Sequence, residues 1–335
     1  MSVKFAFGEP PQEAVDYFEA KKLGDLYAFD YRDAWKEEHV NNFVVAKAAQ
    51  LDVLTTLHEA VHEAISKGVP FSEFKKNLQP KLEELGWWGR QAVNDPKTGA
   101  EIEAQLGSPQ RLRTIYDTNV GQAYNAGKWQ RAEATKRAMP YLLYRLGASA
   151  EHRPEHASWD GICLPVGDTW WDMHMPKNGW GCQCWVQQIT QYQYDKYLTE
   201  GLNSSVPTQE INPETGLPTG HITRNKIQLI TTPPKVEYMD WLNKRTGKVE
   251  KVPAGIDPGF DFNPGKKRFE NLLNMVNDKV QSAPPQIQKP FVGGFIRTYS
   301  NLYLAATDVT ITAQNAIAKQ MFAYWIKVFN LLLKK

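Results

Sequence analysis

Residues 144–190 read YRLGASAEHRPEHASWDGICLPVGDTWWDMHMPKNGWGCQCWVQQIT, and this stretch decides what fold the chain can make. It holds all three cysteines of the 335-residue chain, His152, His156 and His174 among its seven histidines, and five of its 11 tryptophans. Glycine and proline punctuate it too often for a long helix or a long strand. Strand texture appears only at its two ends, in YLLYRLGAS (141–149) and CQCWVQQI (182–189). Between them the rings of Trp159, Trp170, Trp171, Trp180 and Trp185, interleaved with Pro and Gly, read as the core of a small irregular domain. A second use of such rings, stacking on nucleobases, defines a nucleic-acid-binding alternative.

Upstream the texture is helical. Residues 11–22 read as a short helix after a Gly-Glu-Pro-Pro turn. FVVAKAAQLDVLTTLHEAVHEAISKG (43–68) reads as a longer one, with Leu51, Leu54, His58, Val61 and Ile65 forming a buried stripe at three- and four-residue steps. Gly68 is placed to cap its C-terminus. PFSEFKKNLQPKLEELGWWG adds a helical stretch with Ser72 as candidate N-cap and a break or kink at Pro80. NDPKTGAE reads as a loop. Ser108-Pro109 then opens a long helix, a cap followed by proline at the first helical position. The expected architecture is α+β: a mainly helical region at 1–107, a small Trp/Cys/His-rich α+β domain at 108–192, a turn-rich linker and extension at 193–265, and a helical tail at 266–335.

Bulk properties exclude several classes. Lys plus Arg number 39 against 37 Asp plus Glu, a net charge of +2 without the basic excess of a dedicated nucleic-acid binder. Three cysteines make no disulfide framework, and a reducing compartment is expected. No signal peptide is read in the first residues, and no run reaches the roughly 18 apolar residues of a membrane-spanning helix.

One short motif competes for attention. His58-Glu59-Ala60-Val61-His62 fits the H-E-x-x-H pattern, in which two histidines one helical turn apart bind zinc and the glutamate acts as general base. Ile65 and Gly68 occupy the places where the extended motif needs its Gly and third His, and Glu63 adds a charge beside His62. The favoured reading is a helix with His58 on its apolar stripe and His62 at the border. A metal-dependent hydrolase remains the alternative function.

The long stretch itself resembles a known family. Arg153-x-x-His156, Asp160-Gly161, Asp168 with Trp170-Trp171, Pro176 and Gly179-Trp180-Gly181-Cys182-x-Cys184 together resemble the Mu F-like minor head proteins of tailed bacteriophages. The helix RLRTIYDTNVGQAYNAGKW (111–129) and the helical region before it share the resemblance, which covers roughly residues 30 to 260. Where many relatives have Cys-Arg-Cys, this chain has Cys182-Gln183-Cys184, so a role for an arginine there does not carry over. The resemblance implies a phage or prophage head-morphogenesis protein without catalytic residues. It implies assembly in the host cytoplasm, a place near the portal vertex in the procapsid interior, and the portal protein and other head proteins as partners. Contact with packaged DNA is a further implication.

Two readings of the Cys/His residues stand. Cys182 and Cys184 alternate along an extended chain and face the same way. With His156 they offer three sides of a tetrahedral structural zinc site, the fourth coming from Cys163, His152 or His174. Otherwise they are buried thiols, with His156 hydrogen-bonded to Asp160 or to a backbone carbonyl. A zinc deaminase is excluded, because Ser158 stands where its catalytic Glu is required and the cysteine spacing is C-x-C. At the far end, NAIAKQMFAYWIKVFNLLLKK (315–335) reads as an amphipathic helix suited to docking on another subunit or, alternatively, to late membrane-surface contact. A toxin-like effector in this tail is a further alternative.

Overall fold

The computed structural model describes residues 10–23, 28–36, 38–149 and 151–268, with scattered positions between 270 and 294. The described part starts with helix α1 (Gln12–Glu19), strand β1 (Lys22–Leu23), a one-turn helix α2 (Glu38–Asn41) and strand β2 (Asn42–Phe43), which pairs in parallel with β1. Helices α3 (Leu51–Lys67) and α4 (Phe71–Glu84) follow, then the hairpin of β3 (Arg90–Asn94) and β4 (Glu101–Gln105). Helix α5 (Pro109–Thr135) is the longest described element.

Four of these helices share one core. Val53, Leu54, Leu57, Val61, Ala64 and Ile65 are the buried face of α3, and they meet Ala14 and Phe18 of α1, Phe74, Leu78 and Leu82 of α4, and Leu112 and Ile115 of α5. The helical periodicity of the sequence is thus the packing stripe, with one exception: Leu51 is 63% exposed, because it sits in the first turn, before the stripe closes. The C-terminal half of α5 leaves this bundle and enters a second core through Trp129 and Ala132.

The helix boundaries differ from expectation in instructive ways. Residues 43–50 are not helical. Phe43 pairs with Leu23, Val45 and Ala48 are buried, and Lys47 adopts a positive φ. The segment is held by tertiary bonds, among them Trp87 Nε1–H to the Lys47 carbonyl at 2.8 Å and Lys47 Nζ to the Phe29 carbonyl at 3.0 Å. Gly68 caps α3 in the left-handed conformation expected of it. Ser72 is not a cap, because α4 begins one residue earlier, after Pro70. Pro80 lies inside α4 and does not end it. Residues 95–100 of the expected loop are the turn of the β3–β4 hairpin. At α5, Ser108 Oγ accepts from the Arg111 backbone N–H at 3.1 Å and proline stands at the first helical position, as the sequence implied.

The second core is built on a three-stranded antiparallel sheet. Its middle strand is β5 (Tyr141–Arg145), flanked by β6 (Cys163–Pro165) and β7 (Trp185–Ile189). Helix α6 (Pro154–Trp159) lies between β5 and β6, and the one-turn helix α7 (Trp171–His174) between β6 and β7. Helix α8 (Gln191–Glu200) follows with a Thr190 capping box. The turn-rich part is not featureless. It forms β8 (Leu202–Asn203) with β11 (Lys226–Ile227), and hairpins of β9 (Thr208–Ile211) with β10 (Pro218–Thr223) and β12 (Tyr238–Asn243) with β13 (Lys248–Pro253). The architecture is α+β. No helix of the described residues is long and apolar enough to cross a membrane. The amphipathic stretch at 315–335 lies outside the described residues.

The return of the chain to β7 needs one close approach. Gly147, just past β5, lies so near the backbone of Gln183 that a Cβ there would overlap the Gln183 carbonyl. A Gly147→Ala variant is therefore expected to lose about 1–3 kcal/mol of stability, the range for an added methyl in a packed site, measured by urea denaturation. An unchanged midpoint would show that the strand entry is not packed this tightly.

Candidate functional site

Local sequence sets where each candidate side chain points. Pro154 at the first helical position starts α6, and six residues suffice to present His156 and Trp159 inward. On the other side of the site the chain runs extended from Gly181, and exposure alternates. Cys182, Cys184 and Val186 are buried, whereas Gly181, Gln183 and Trp185 face outward. The period-2 reading of the two cysteines is therefore correct. Gln183 faces away from the core, so a Cys-Arg-Cys or Cys-Gln-Cys sequence leaves the interior unchanged.

These two segments meet. His156 Nδ1 lies 3.5 Å from Cys184 Sγ and 3.9 Å from Cys182 Sγ. The three potential ligand atoms all fall within 4.8 Å of one another, and all three residues are buried. On the far side of the ring, Nε2 is 2.7 Å from the Gly255 carbonyl oxygen. A carbonyl only accepts, so Nε2 carries the hydrogen, and in the neutral ring Nδ1 turns its lone pair to the sulfurs. Of the two alternatives for His156, the bond goes to a backbone carbonyl and not to Asp160. Gly255 is at φ +80°, and a Cβ there would run into Glu155 and Trp159, so glycine lets this carbonyl approach the ring.

A hydrogen bond from Cys184 pulls the Cys182 thiol down, against the opposing effect of burial. Cys184 is pushed up, first by donating that bond and then by burial. Both cysteines are free thiols.

The other motif residues build the frame. The Arg153 guanidinium bonds Asp257 Oδ2 at 2.8 Å, and the same carboxylate oxygen accepts the Trp180 backbone N–H at 2.8 Å. Asp168 Oδ1 accepts the Trp170 N–H at 2.8 Å and starts the turn into α7. Trp171 is fully buried with its indole N–H on the Pro165 carbonyl at 3.1 Å. Pro176 is buried, and Gly181 takes the positive φ (+71°) that leads into Cys182. Gly161, at φ +95°, donates to the Tyr144 carbonyl and accepts from the Ile230 N–H. Asp160 accepts from the Ser205 N–H and hydroxyl at 2.7 and 2.6 Å and lies 3.2 Å from Arg145.

The three candidates for a fourth ligand do not join the trio. Cys163 lies in a separate core with Leu143, Ile189 and Leu202, where burial pushes its thiol up to about 12. His174 stacks on Trp170 at 4.1 Å, gives Nδ1 to the Trp170 carbonyl, and is driven down to about 4 by burial. His152 is half-buried, just ahead of α6, outside the trio. Trp159, Trp170 and Trp171 are core residues, whereas Trp180 and Trp185 are 41% and 38% exposed.

The H-E-x-x-H pattern has another role. His58 stacks on Phe18 at 4.8 Å with its edge toward Phe43, and burial lowers its pKa. His62 Nε2 lies 2.9 Å from Glu19 Oε1. Among the described residues, the one group of three or more Cys, His and acidic side chains close enough to hold a metal is His156, Cys182 and Cys184. The H-E-x-x-H histidines pack α3 on α1.

Partners that linear spacing did not expose are Gly255, 99 residues from His156, and Ser205, 45 from Asp160. Tyr144 was visible only as a strand residue. Its hydroxyl donates to Asn178 Oδ1 at 2.9 Å, beside the thiols.

A helical bundle tied to a small sheet domain with a buried Cys/His cluster describes a class of α+β protein. Residues 55–187 match the family model described as Phage Mu protein F like protein. The chain is 32% identical over 294 residues to a protein named as capsid assembly protein F of Escherichia phage Mu, covering 87% of this chain. It is 33% identical over 239 residues, 70% of this chain, to the Mu-like prophage FluMu F protein of Haemophilus influenzae. The chain spans 62% and 53% of the lengths of these two relatives. No solved structure matches it.

Removing Asp160 strands a buried guanidinium. Asp160→Ala is expected to cost about 3–5 kcal/mol, the usual loss when one partner of a buried pair is removed. Replacing Arg145 by Met in the same chain is expected to recover part of it in urea titrations. Additive losses in the double variant would show that the two groups are not coupled.

Proposed function

We propose that this chain is a structural protein of phage or prophage head assembly, a minor component of the procapsid near the portal vertex. The observation that carries the reading is the likeness, over 87% of the chain, to a protein named for capsid assembly. The family match spans most of α3, α4, α5 and the trio, so the likeness includes the motif residues. The motif residues also behave as frame. Arg153, Asp160, Asp168 and Trp171 are engaged in internal bonds, and none is left pointing into an open cleft with a free catalytic group. On this reading assembly takes place in the host cytoplasm, and the partners are the portal protein and other head proteins. The near-neutral charge gives little electrostatic drive toward phosphates, so any DNA contact in the procapsid interior is weak and secondary.

The test is sedimentation of a lysate from cells producing the phage, with the chain detected by antibody. It is expected in the procapsid and head fractions and is expected to bring down the portal protein after mild disruption. Its absence from both fractions contradicts the proposal. A Glu59→Gln variant separates the hydrolase alternative. Unchanged phage titre is expected, because His58 and His62 are packing residues; a lost titre with normal folding would revive a metal-dependent hydrolase.

A further inference from the structure

We infer that His156, Cys182 and Cys184 bind one zinc ion through Nδ1 and two thiolate sulfurs, as a structural clasp that fixes the loop-rich segment 146–184 against α6. This goes beyond the assembly role and does not depend on it.

Geometry is the first support. Zinc–nitrogen and zinc–sulfur bonds of about 2.05 and about 2.3 Å at the tetrahedral angle give an N···S edge of about 3.6 Å. The two N···S separations are 3.5 and 3.9 Å, so an ion fits between the atoms with little movement.

The surroundings of the ligands are the second support. Metal-binding histidines characteristically donate their other ring N–H to a carbonyl or carboxylate, which fixes tautomer and orientation. Here Nε2–H does so to Gly255, at a glycine whose replacement would clash with Glu155 and Trp159. Both sulfurs are free thiols, buried beside the ring. Two thiolates and a neutral imidazole cancel the charge of Zn²⁺, which suits a buried place better than one unpaired thiolate. Imidazole with soft thiolate is a zinc donor set and a poor one for magnesium or calcium.

Ligand number is the third consideration. Among the described residues the trio is the complete set, since Cys163 lies in another core and His174 gives Nδ1 to the Trp170 carbonyl. Loss of the thiol protons of Cys182 and Cys184 to water accompanies binding. A trio drawn from two segments 26 residues apart restricts the unfolded chain and adds to stability where little regular structure exists.

The experiment uses the full chain, stripped of metal under reducing conditions and then loaded with zinc or cobalt(II). About one zinc per chain by elemental mass spectrometry is expected, together with the intense thiolate-to-cobalt absorption of a tetrahedral site. Cys163→Ser and the His58→Ala/His62→Ala double variant are expected to keep both signals. Cys184→Ser is expected to weaken zinc binding by at least about ten-fold. Because the cobalt spectrum of the unmodified chain reads the thiolate ligands directly, misfolding of a variant does not decide the outcome. Wild-type chain that takes up neither metal overturns the inference, as does cobalt bound without thiolate absorption. Zinc lost on changing His58 and His62 but retained in Cys184→Ser overturns it as well.

Discussion

The second half of the molecule depends on one meeting of atoms, two sulfurs at the entry to β7 against one imidazole nitrogen from α6. The chain leaves β5, wanders through about forty residues with only two short helices and one short strand, and must come back beside its starting point. Regular hydrogen-bond ladders cannot hold such an excursion. The polar groups of the loop are instead satisfied one by one, through Asp168, Asp257, the Gly255 carbonyl and the Pro165 carbonyl. The rings of Trp159, Trp170 and Trp171 fill the space between these bonds. His156 is where the inner and outer bonds join, since its two nitrogens serve the sulfurs on one side and the turn at Gly255 on the other.

The bundle and the sheet domain are coupled mechanically by α5. Its N-terminal half is a helix of the bundle, with Leu112 and Ile115 in the core, and its C-terminal half supplies Trp129 and Ala132 to the other core. Gly127 is packed against the backbone of α1 at Glu13 and Ala14, which brings the two helices together near the point where α5 passes between cores. The Arg131–Glu13 ion pair at 2.9 Å closes the same contact, although at partly exposed positions it contributes little by itself.

Much of this was legible in the sequence, for identifiable reasons. Helices α3, α4 and α5 declare themselves because amphipathic spacing and local caps act over a few residues, as Gly68 and Ser108 do. The shared direction of Cys182 and Cys184 follows from period 2. Residues 43–50 carry a helical pattern but are not helical, because their conformation is set by Phe29 and Trp87, 18 and 40 residues from Lys47. The β3–β4 hairpin and the strands between residues 202 and 253 were hidden for a related reason. They are short and mostly exposed, so little apolar alternation marks them. The frame around His156 was invisible because Gly255 and Asp257 carry no local signature. The H-E-x-x-H pattern shows the converse: a local signature whose side chains are absorbed by packing against Phe18 and Phe43.

The most direct test of the account is the protonation pattern of the His156 ring, read by long-range nitrogen–proton NMR on chain labelled with ¹⁵N-histidine and assigned with a His156→Gln variant. The prediction is a ring with its hydrogen held on Nε2, toward the Gly255 carbonyl, whether thiols or zinc face Nδ1. A ring carrying its hydrogen on Nδ1, or exchanging rapidly between the two forms, would contradict the convergence on which the domain is built.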